Sequence, residues 1–373
     1  RESRENERLQ QRNIHRQKVS RGDLQGENTY SDTDTSLLTF ESMKLFLISA
    51  LERGHQIITM DINHALLYAP IEETLYIEHP KDRGREFLNK NGYFGSEYSP
   101  GLYVSQDDNT VIAAYVDDTM ISAPDEDTLD RIIDMFKQEF DLEEDGITDS
   151  NGISLESYIT ENITKKYPEI AKGKSNEVPH ILVYTLNRKT DEDDWKDEED
   201  RKKKIKYLQK LIGPLGYLRC RGIVIEFAIG KISRYTNFPH RVIKTVEKII
   251  SYVINNANQK TILRQCQQEN PTITMMTDAS LGSEYDKKSR IGTHIWYGTN
   301  ILYSYSKKTS ITCDSASESE LYGLSNGSKC ALLFKRKIEA IVHKQVAINI
   351  ICDCQPALDW LIQPYFKPRT KYL

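Results

Sequence analysis

Residues 109–124, NTVIAAYVDDTMISAP, place two adjacent carboxylates, Asp117 and Asp118, between two runs of β-branched and apolar residues. Like charges at a tight apolar turn repel, and burial raises their pKa values unless something positive lies between them. A divalent metal supplies that charge. Mg²⁺ takes one or two carboxylates with substrate phosphates and keeps water on the rest of its octahedron. Asp61, at the end of QIITMD, is the candidate third carboxylate on an adjacent strand. Three such acids can hold the two metals that stabilise the attacking and leaving oxygens of phosphoryl transfer. Aspartate is also a common turn former, and the pair taken alone reads first as an ordinary hairpin turn.

A second set of acids lies near the other end of the sequence. Asp278 ends the strand-like MMTDAS, Glu320 sits in the helical SASESELYG, and Asp353 closes INIICDC. Acids arriving from a strand, a helix and a strand can converge, bind two Mg²⁺ and direct water at a phosphodiester. Each one alone is more often a cap, a turn or a solvated residue. Cys352 and Cys354 flank Asp353 in an apolar stretch read as a core strand, so both are expected to be packing residues.

The elements that must position these acids follow from periodicity. TFESMKLFLISALERG has apolar residues at helical spacing, with Thr39 or Ser42 as N-cap and a terminal glycine. HQIITMDI and ETLYIEHP read as strands on either side of the helical NHALLYAPIE. GLYVSQDDNTVIAAYVDDTMISA reads as three strands with turns at Asp107–Asn109 and Asp117–Asp118, and the helical DEDTLDRIIDMFKQEF follows. This order predicts an α+β domain with antiparallel pairing. The charged runs DEDDWKDEED and RKKK, within residues 145–204, read as a solvated connector. Residues 205–256 read as helices, with Pro214 expected to kink or break one of them, at a cost of roughly 3 kcal/mol. From Thr272 a second α+β unit begins.

Composition narrows the classes. The 373 residues allow two or three cores, and 38 % apolar content with no run of about 20 apolar residues excludes an evident transmembrane helix. The six cysteines show no C-x-x-C spacing, which predicts reduced thiols in an intracellular protein and no zinc site. No secretory leader is expected from the first residues. The net charge of −5 conceals a basic first segment, seven Arg or Lys against three Glu over residues 1–22, and a strongly acidic stretch over 117–150. The basic segment suits phosphate contact or a solvated helix equally.

YVDD on a hairpin, preceded by MDINHALLYAPIEETLYIEHP, resembles the polymerase palm of copia-type LTR retrotransposon reverse transcriptases of the yeast type. The likeness continues through RGDLQ, TYSDTDTSLLTFESMK, SPGLY, FAIGKISRYTNFPHRV and TDASLGSEYDKKSRIG. It implies a basic fingers fragment at 1–30, a reverse transcriptase palm at 31–165, a charged connector with a helical thumb or connection at 166–265, and a shortened ribonuclease H-like α/β domain at 272–373. By the same resemblance Asp61, Asp117 and Asp118 hold two Mg²⁺ for attack of a primer 3′-hydroxyl on a dNTP. Asp278, Glu320 (rather than Glu318) and Asp353 hold two more for cleavage of an RNA/DNA hybrid. The implied partners are an RNA template, a DNA or RNA primer, dNTPs and the hybrid. The implied location is cytoplasmic, in a virus-like particle, or nuclear.

The sequence also departs from the family pattern. An LYGLKQSP-like stretch between HPKDR and EFLNKNGYFGSEYSPGLY is absent, and a second gap follows LEEDG. Lost positioning of about 1 Å can cost about 10²-fold in rate. Leu66 replaces the aromatic residue that blocks a ribose 2′-hydroxyl, and Arg16 and Lys18 neighbour the positions of the family's triphosphate-binding cations, which hold His15 and Gln17. The family's fourth ribonuclease H acid lies beyond the CDCQPAL strand, and YFKPRTKYL is reached before it. Three readings result. They are an active reverse transcriptase with ribonuclease H, a catalytically inactive remnant with at most non-specific nucleic-acid binding, and a metal nuclease built on the last unit alone.

Overall fold

The computed structural model of the chain describes residues 38–62, 81–105, 107–115, 118–147, 152–171, 197–218, 223–236, 239–266, 271–284 and 286–362. Arg16, Lys18, Leu66 and Asp117, the expected elements in NHALLYAPIE and ETLYIEHP, and the basic first segment lie outside them.

Helix α1 (Phe40–Arg53) forms where periodicity places it. Thr39 Oγ1 accepts from Ser42 N at 3.2 Å, which settles the N-cap, and Gly54 ends the helix in the left-handed conformation at φ 67°. Strand β1 (Gln56–Ile62) follows, then α2 (Lys81–Lys90), β2 (Tyr93–Ser96), β3 (Ser99–Ser105), β4 (Val111–Tyr115), β5 (Asp118–Ala123), α3 (Glu126–Lys137) and β6 (Leu142–Ile147). The strands make one sheet in the order β2-β3-β4-β5-β1-β6. Alternation assigns its faces. Ile58, Met60, Ile112 and Ile121 pack under Leu129, Ile132, Ile133 and Phe136 of α3. Ile57, Val111 and Ala113 face the other way, into a core with Leu45, Phe46 and Ile48 of α1.

A helical unit comes next. Strand β7 (Gly152–Ile153) leads into α4 (Glu156–Ile159), which runs on as a π-helical turn over Thr160–Thr164, and then come α5 (Pro168–Ala171), α6 (Glu198–Tyr217), α7 (Ile223–Ile232) and α8 (Pro239–Asn255). Two expectations change here. The proposed connector contains structure: Leu155, Ile159 and Ile163 are buried with Leu208, Leu211, Val246 and Ile249, so this core starts before residue 166. The RKKK run lies inside α6, where Lys203 and Lys204 pair with Glu199 and Asp200 one turn back. Nor does Pro214 break α6. Proline lacks the N–H that would bond Lys210 O, and the Tyr167 hydroxyl donates to that carbonyl instead at 2.8 Å. Tyr158 donates to Pro214 O at 3.1 Å.

After β8 (Thr261–Ile262), which pairs with β7, the last unit contains β9 (Ile273–Ser280), β10 (Arg290–Tyr297), β11 (Asn300–Lys308), α9 (Ala316–Val342), β12 (Ile348–Ile351) and α10 (Gln355–Ile362). Its sheet has the order β11-β10-β9-β12, antiparallel except for β12, which lies parallel to β9 across the α9 connection. The whole is an α+β arrangement. Strand β12 is not the core strand expected from INIICDC. It is the outer strand among the described residues, with Ile350 42 % and Ile351 49 % exposed.

Helix α1 belongs to both sheets. Its apolar face shares one core with Met275, Ile295, Leu302, Phe334 and Ile338 of the last unit. Lys44 Nζ donates to Ile301 O at 3.3 Å, and the Arg53 guanidinium joins Asn109 O at 2.8 Å to Ile341 O at 2.5 Å. Among the described residues no helix is long and apolar enough to cross a membrane.

Candidate metal-binding carboxylate sites

In the first sheet register alone gathers the acids. Asp61 of β1 stands opposite Asp118 of β5 on one side and Glu143 of β6 on the other, and Asp118 is also opposite Tyr115 of β4. Directly opposed residues share a face, roughly 5 Å apart. Tyr115, Asp118, Asp61 and Glu143 therefore form a row across four strands. Asp61 is half-buried, while Asp118, Glu143 and Tyr115 are exposed. Strands β4 and β5 pair up to Tyr115 and Asp118, and Asp117, the other acid of the expected hairpin pair, lies outside the described residues. Glu143 was not anticipated, because LEEDG was not read as a strand. Its signal is the register of β6 against β1, which a single strand pattern does not carry.

In the last unit the acids come from different elements. Asp278 lies in β9 opposite Gly292, and Asp353 follows β12. Their strands are parallel neighbours paired as far as Met276↔Ile351, so both acids stand two residues past the same point. Glu320 belongs to α9, whose start is fixed by Ser315 Oγ accepting from Glu318 N at 3.2 Å and Glu318 Oε2 accepting from Asp314 N at 2.7 Å. That cap occupies Glu318, and Glu320, on the inner face, is 6 % exposed.

Two glycines bring the inner face close. A Cβ on Gly323 would meet Thr277 Oγ1 at 2.9 Å, and one on Gly327 would meet Met275 Sδ at 2.5 Å, so only glycine lets α9 lie this near β9. At that distance Glu320 Oε1 accepts from Ala279 N at 2.9 Å. Ligand atoms of Glu320, Cys352 and Asp353 lie within 4.8 Å of one another. Asp278 lies outside that trio but close enough for its charge to act on Glu320. Burial, then the charges of Asp278 and Asp353, hold the Glu320 carboxyl above its ordinary range, against the lowering effect of the Ala279 N–H. Cys352 does more than pack: its thiol is 3.9 Å from Glu320 Oε2, and burial raises its pKa. A buried carboxyl raised by acidic neighbours fits a divalent cation, which would relieve that repulsion; the thiol adds one soft donor to an otherwise hard set.

Over most of its length the chain resembles retrotransposon Pol polyproteins. It is similar to the Ty1-MR1 and Ty1-BL Gag-Pol polyproteins of Saccharomyces cerevisiae, each 23 % identical over 395 aligned residues that cover 92 % of this chain and 22 % of the relative. The Ty1-GR1 polyprotein matches to the same extent. The chain thus spans about a fifth of the length of these relatives. No family model matches it. A structure of the foamy viral protease-reverse transcriptase in complex with RNA/DNA hybrid superposes on 87 % of this chain and 43 % of its own, with a TM-score of 0.47 and 12 % identity.

Proposed function

We propose that this chain is the reverse transcriptase and ribonuclease H portion of a copia-type retrotransposon Pol polyprotein, working in the cytoplasm within a virus-like particle. The first site adds dNTPs to a primer on an RNA template, and the second cleaves the RNA of an RNA/DNA hybrid. The observation that carries this reading is the pairing of Asp61 with Asp118, which aligns two acids of the YVDD and QIITMD motifs on one solvent-facing row. Asp61, Asp117 and Asp118 would hold Mg²⁺ in the first site, and Asp278, Glu320 and Asp353 in the second. Bound there, Mg²⁺ supplies stabilisation of charge on the phosphoryl oxygens. The chain's own part is placement: β-sheet register for the first set, and the Ala279 N–H that orients Glu320 for the second.

The test is primer extension on an RNA template with Mg²⁺, comparing the wild type with the Asp117→Asn/Asp118→Asn double variant. Extension that disappears in the variant supports the reading, and a folded wild type that extends nothing refutes it. One observation favours the second reading, a non-catalytic nucleic-acid-binding remnant, at the second site. Both Glu320 oxygens are engaged within the protein, one by Ala279 N and the other by the Cys352 thiol.

A further inference from the structure

Two motifs singled out in the sequence, FAIGKISRY and TDASLGSEYDKKSRIG, meet in a buried ion cluster that neither site uses. The Glu284 side chain is 0 % exposed. Its Oε1 accepts from Lys231 Nζ at 3.1 Å and Arg290 Nε at 2.7 Å, and its Oε2 lies 2.8 Å from Arg234 NH1. Lys231 lies in the last turn of α7 and Arg234 just beyond its end, whereas Glu284 lies in the β9–β10 loop and Arg290 begins β10. One carboxylate therefore ties the helical unit to the last sheet. Arg290 extends the tie by donating to Ser306 O at 3.2 Å and to Gly230 O at 3.4 Å, and Glu226 Oε1 accepts from Ser306 N at 3.3 Å. Helix and strand are in close contact here, since a Cβ on Gly230 would meet Ser306 O at 2.6 Å.

The cluster sits close to Asp278 along the hairpin. Arg290 pairs with Ser280, and the pair two residues further in is Gly292 with Asp278. Glu284 bonds Arg290 from inside the loop, so it closes the hairpin end from which Asp278 projects. Glu284 N donates to Lys288 O at 3.1 Å, and Ser289 N donates to Thr309 Oγ1 at 3.1 Å, so the same loop is also fastened to the segment after β11.

We propose that Glu284 is a positioning residue and α7 a brace: their ionic contact sets the β9–β10 hairpin, and with it Asp278 relative to Glu320, so that the second carboxylate site is built by the helical unit as well as by its own sheet. This argues against a nuclease made of the last unit alone. Where it concerns metal, the inference rests on the proposed cation site; where it concerns the brace, it does not.

The experiment uses the full chain in two variants. Glu284→Gln leaves the buried Lys231 and Arg290 and the partly buried Arg234 without their carboxylate, and Gly230→Ala pushes α7 from β11 without altering any charge or any residue of the last sheet. Hydrogen exchange is followed at Ala279, Ser280 and Ile291, and Mn²⁺ binding is followed by electron paramagnetic resonance, with Asp353→Asn marking the site's own signal. Glu284→Gln is expected to cut protection at these amides by about 100-fold, the scale of an uncompensated buried charge, with α3 of the first sheet unaffected. Gly230→Ala should loosen the same amides to a lesser degree, and both variants should weaken the Asp353-dependent Mn²⁺ signal. If Gly230→Ala leaves both protection and Mn²⁺ binding unchanged, or if Glu284→Gln folds and leaves protection unchanged, the brace is overturned. A wild type with no Asp353-dependent Mn²⁺ signal would remove the cation site, while the exchange data would still decide the brace.

Discussion

Glu284 and Glu320 are both buried, both serve the last sheet, and have opposite electrostatics. Burial alone would raise each. Around Glu284, Arg290 and Lys231 outweigh burial and hold its carboxyl below the ordinary range. Around Glu320, burial is joined by Asp278 and Asp353, and the carboxyl is raised. A buried acid surrounded by the chain's own cations is a structural tie, because its charge is already compensated. A buried acid surrounded by other acids lacks that compensation and is relieved by a proton or by a cation, which is the electrostatic setting that the proposed site requires. The two carboxylates therefore contrast a compensated charge with an uncompensated one beside the same sheet.

The largest effect that should separate them is the loss of the Glu284 charge. Glu284→Gln is expected to cost about 3–5 kcal/mol at neutral pH, the range for breaking a buried pair from one side, measured by denaturant unfolding. Because the folded pKa of Glu284 is lowered, its stabilisation is present above the ordinary glutamate pKa and is lost as pH falls through the folded value. The gap between wild type and variant should therefore be full at neutral pH and shrink only in acid. A gap independent of pH would mean that packing, not charge, holds α7 in place.

Next in size is the geometry of α9. Gly327→Val places a side chain where Met275 Sδ would lie 2.5 Å from its Cβ, so Met275 must repack or α9 must rise from β9, and a rise would pull Glu320 from Ala279 N. Overpacking of this kind costs about 1–3 kcal/mol. Hybrid cleavage should fall with it while primer extension persists, since the Asp61–Asp118 row depends on strand register in the other sheet. Equal losses in both assays would show that the two sites are not built independently in this way.

Glu320→Gln should act in the opposite sense to Glu284→Gln. A raised folded pKa means that the folded state gains stability from protonation below the ordinary glutamate pKa and loses it as pH rises through the folded value. The Glu320 carboxyl thus costs stability at neutral pH in the absence of metal. Glu320→Gln, which keeps an acceptor for Ala279 N, should raise Tm by roughly 2 °C in EDTA, with the gain vanishing in acid. Excess Mg²⁺ should then raise the wild-type Tm and not that of the variant. A variant less stable than wild type in EDTA would remove Glu320 as an uncompensated charge.

Local pattern made part of this visible beforehand. Helix α1, the β3–β4–β5 run and α3 were readable because each is a single amphipathic or alternating segment with its own cap or turn, such as Thr39 or Asp125. The acids Asp61, Asp118, Asp278, Glu320 and Asp353 could be named because each ends or caps such a segment or matches a family motif. What escaped depends on pairs distant in sequence. Glu143 required the register of β6, the continuity of α6 at Pro214 required Tyr167, and the role of Glu284 required α7, 53 residues away from it at Lys231. The connector was misread because charge content was taken as solvation, whereas Leu155, Ile159 and Ile163 are few, spaced and buried. Strand β12 was misread because an apolar run was equated with burial, and its place at the edge of the sheet is a property of topology.

The smallest effect belongs to Cys352, and it tests whether Glu320 is charged in the free protein. The thiol lies 3.9 Å from Glu320 Oε2, a weak contact for sulfur, so Cys352→Ser should change stability by less than about 1 kcal/mol. Reactivity is the more sensitive readout, because the thiolate is the nucleophile. Burial raises the Cys352 pKa; the Cys354 backbone N–H opposes this, and the negative charges of Glu320 and Asp353 add to it. Alkylation by iodoacetamide at pH 8 should therefore be slower at Cys352 than at a free peptide thiol. Removing the neighbouring charge with Glu320→Gln should speed it by a few-fold without changing exposure. A rate unchanged by that substitution would mean that burial and Asp353, not Glu320, protect the thiol and that Glu320 is uncharged at pH 8. The metal-free carboxylate cluster would then be neutral at its centre rather than awaiting a cation.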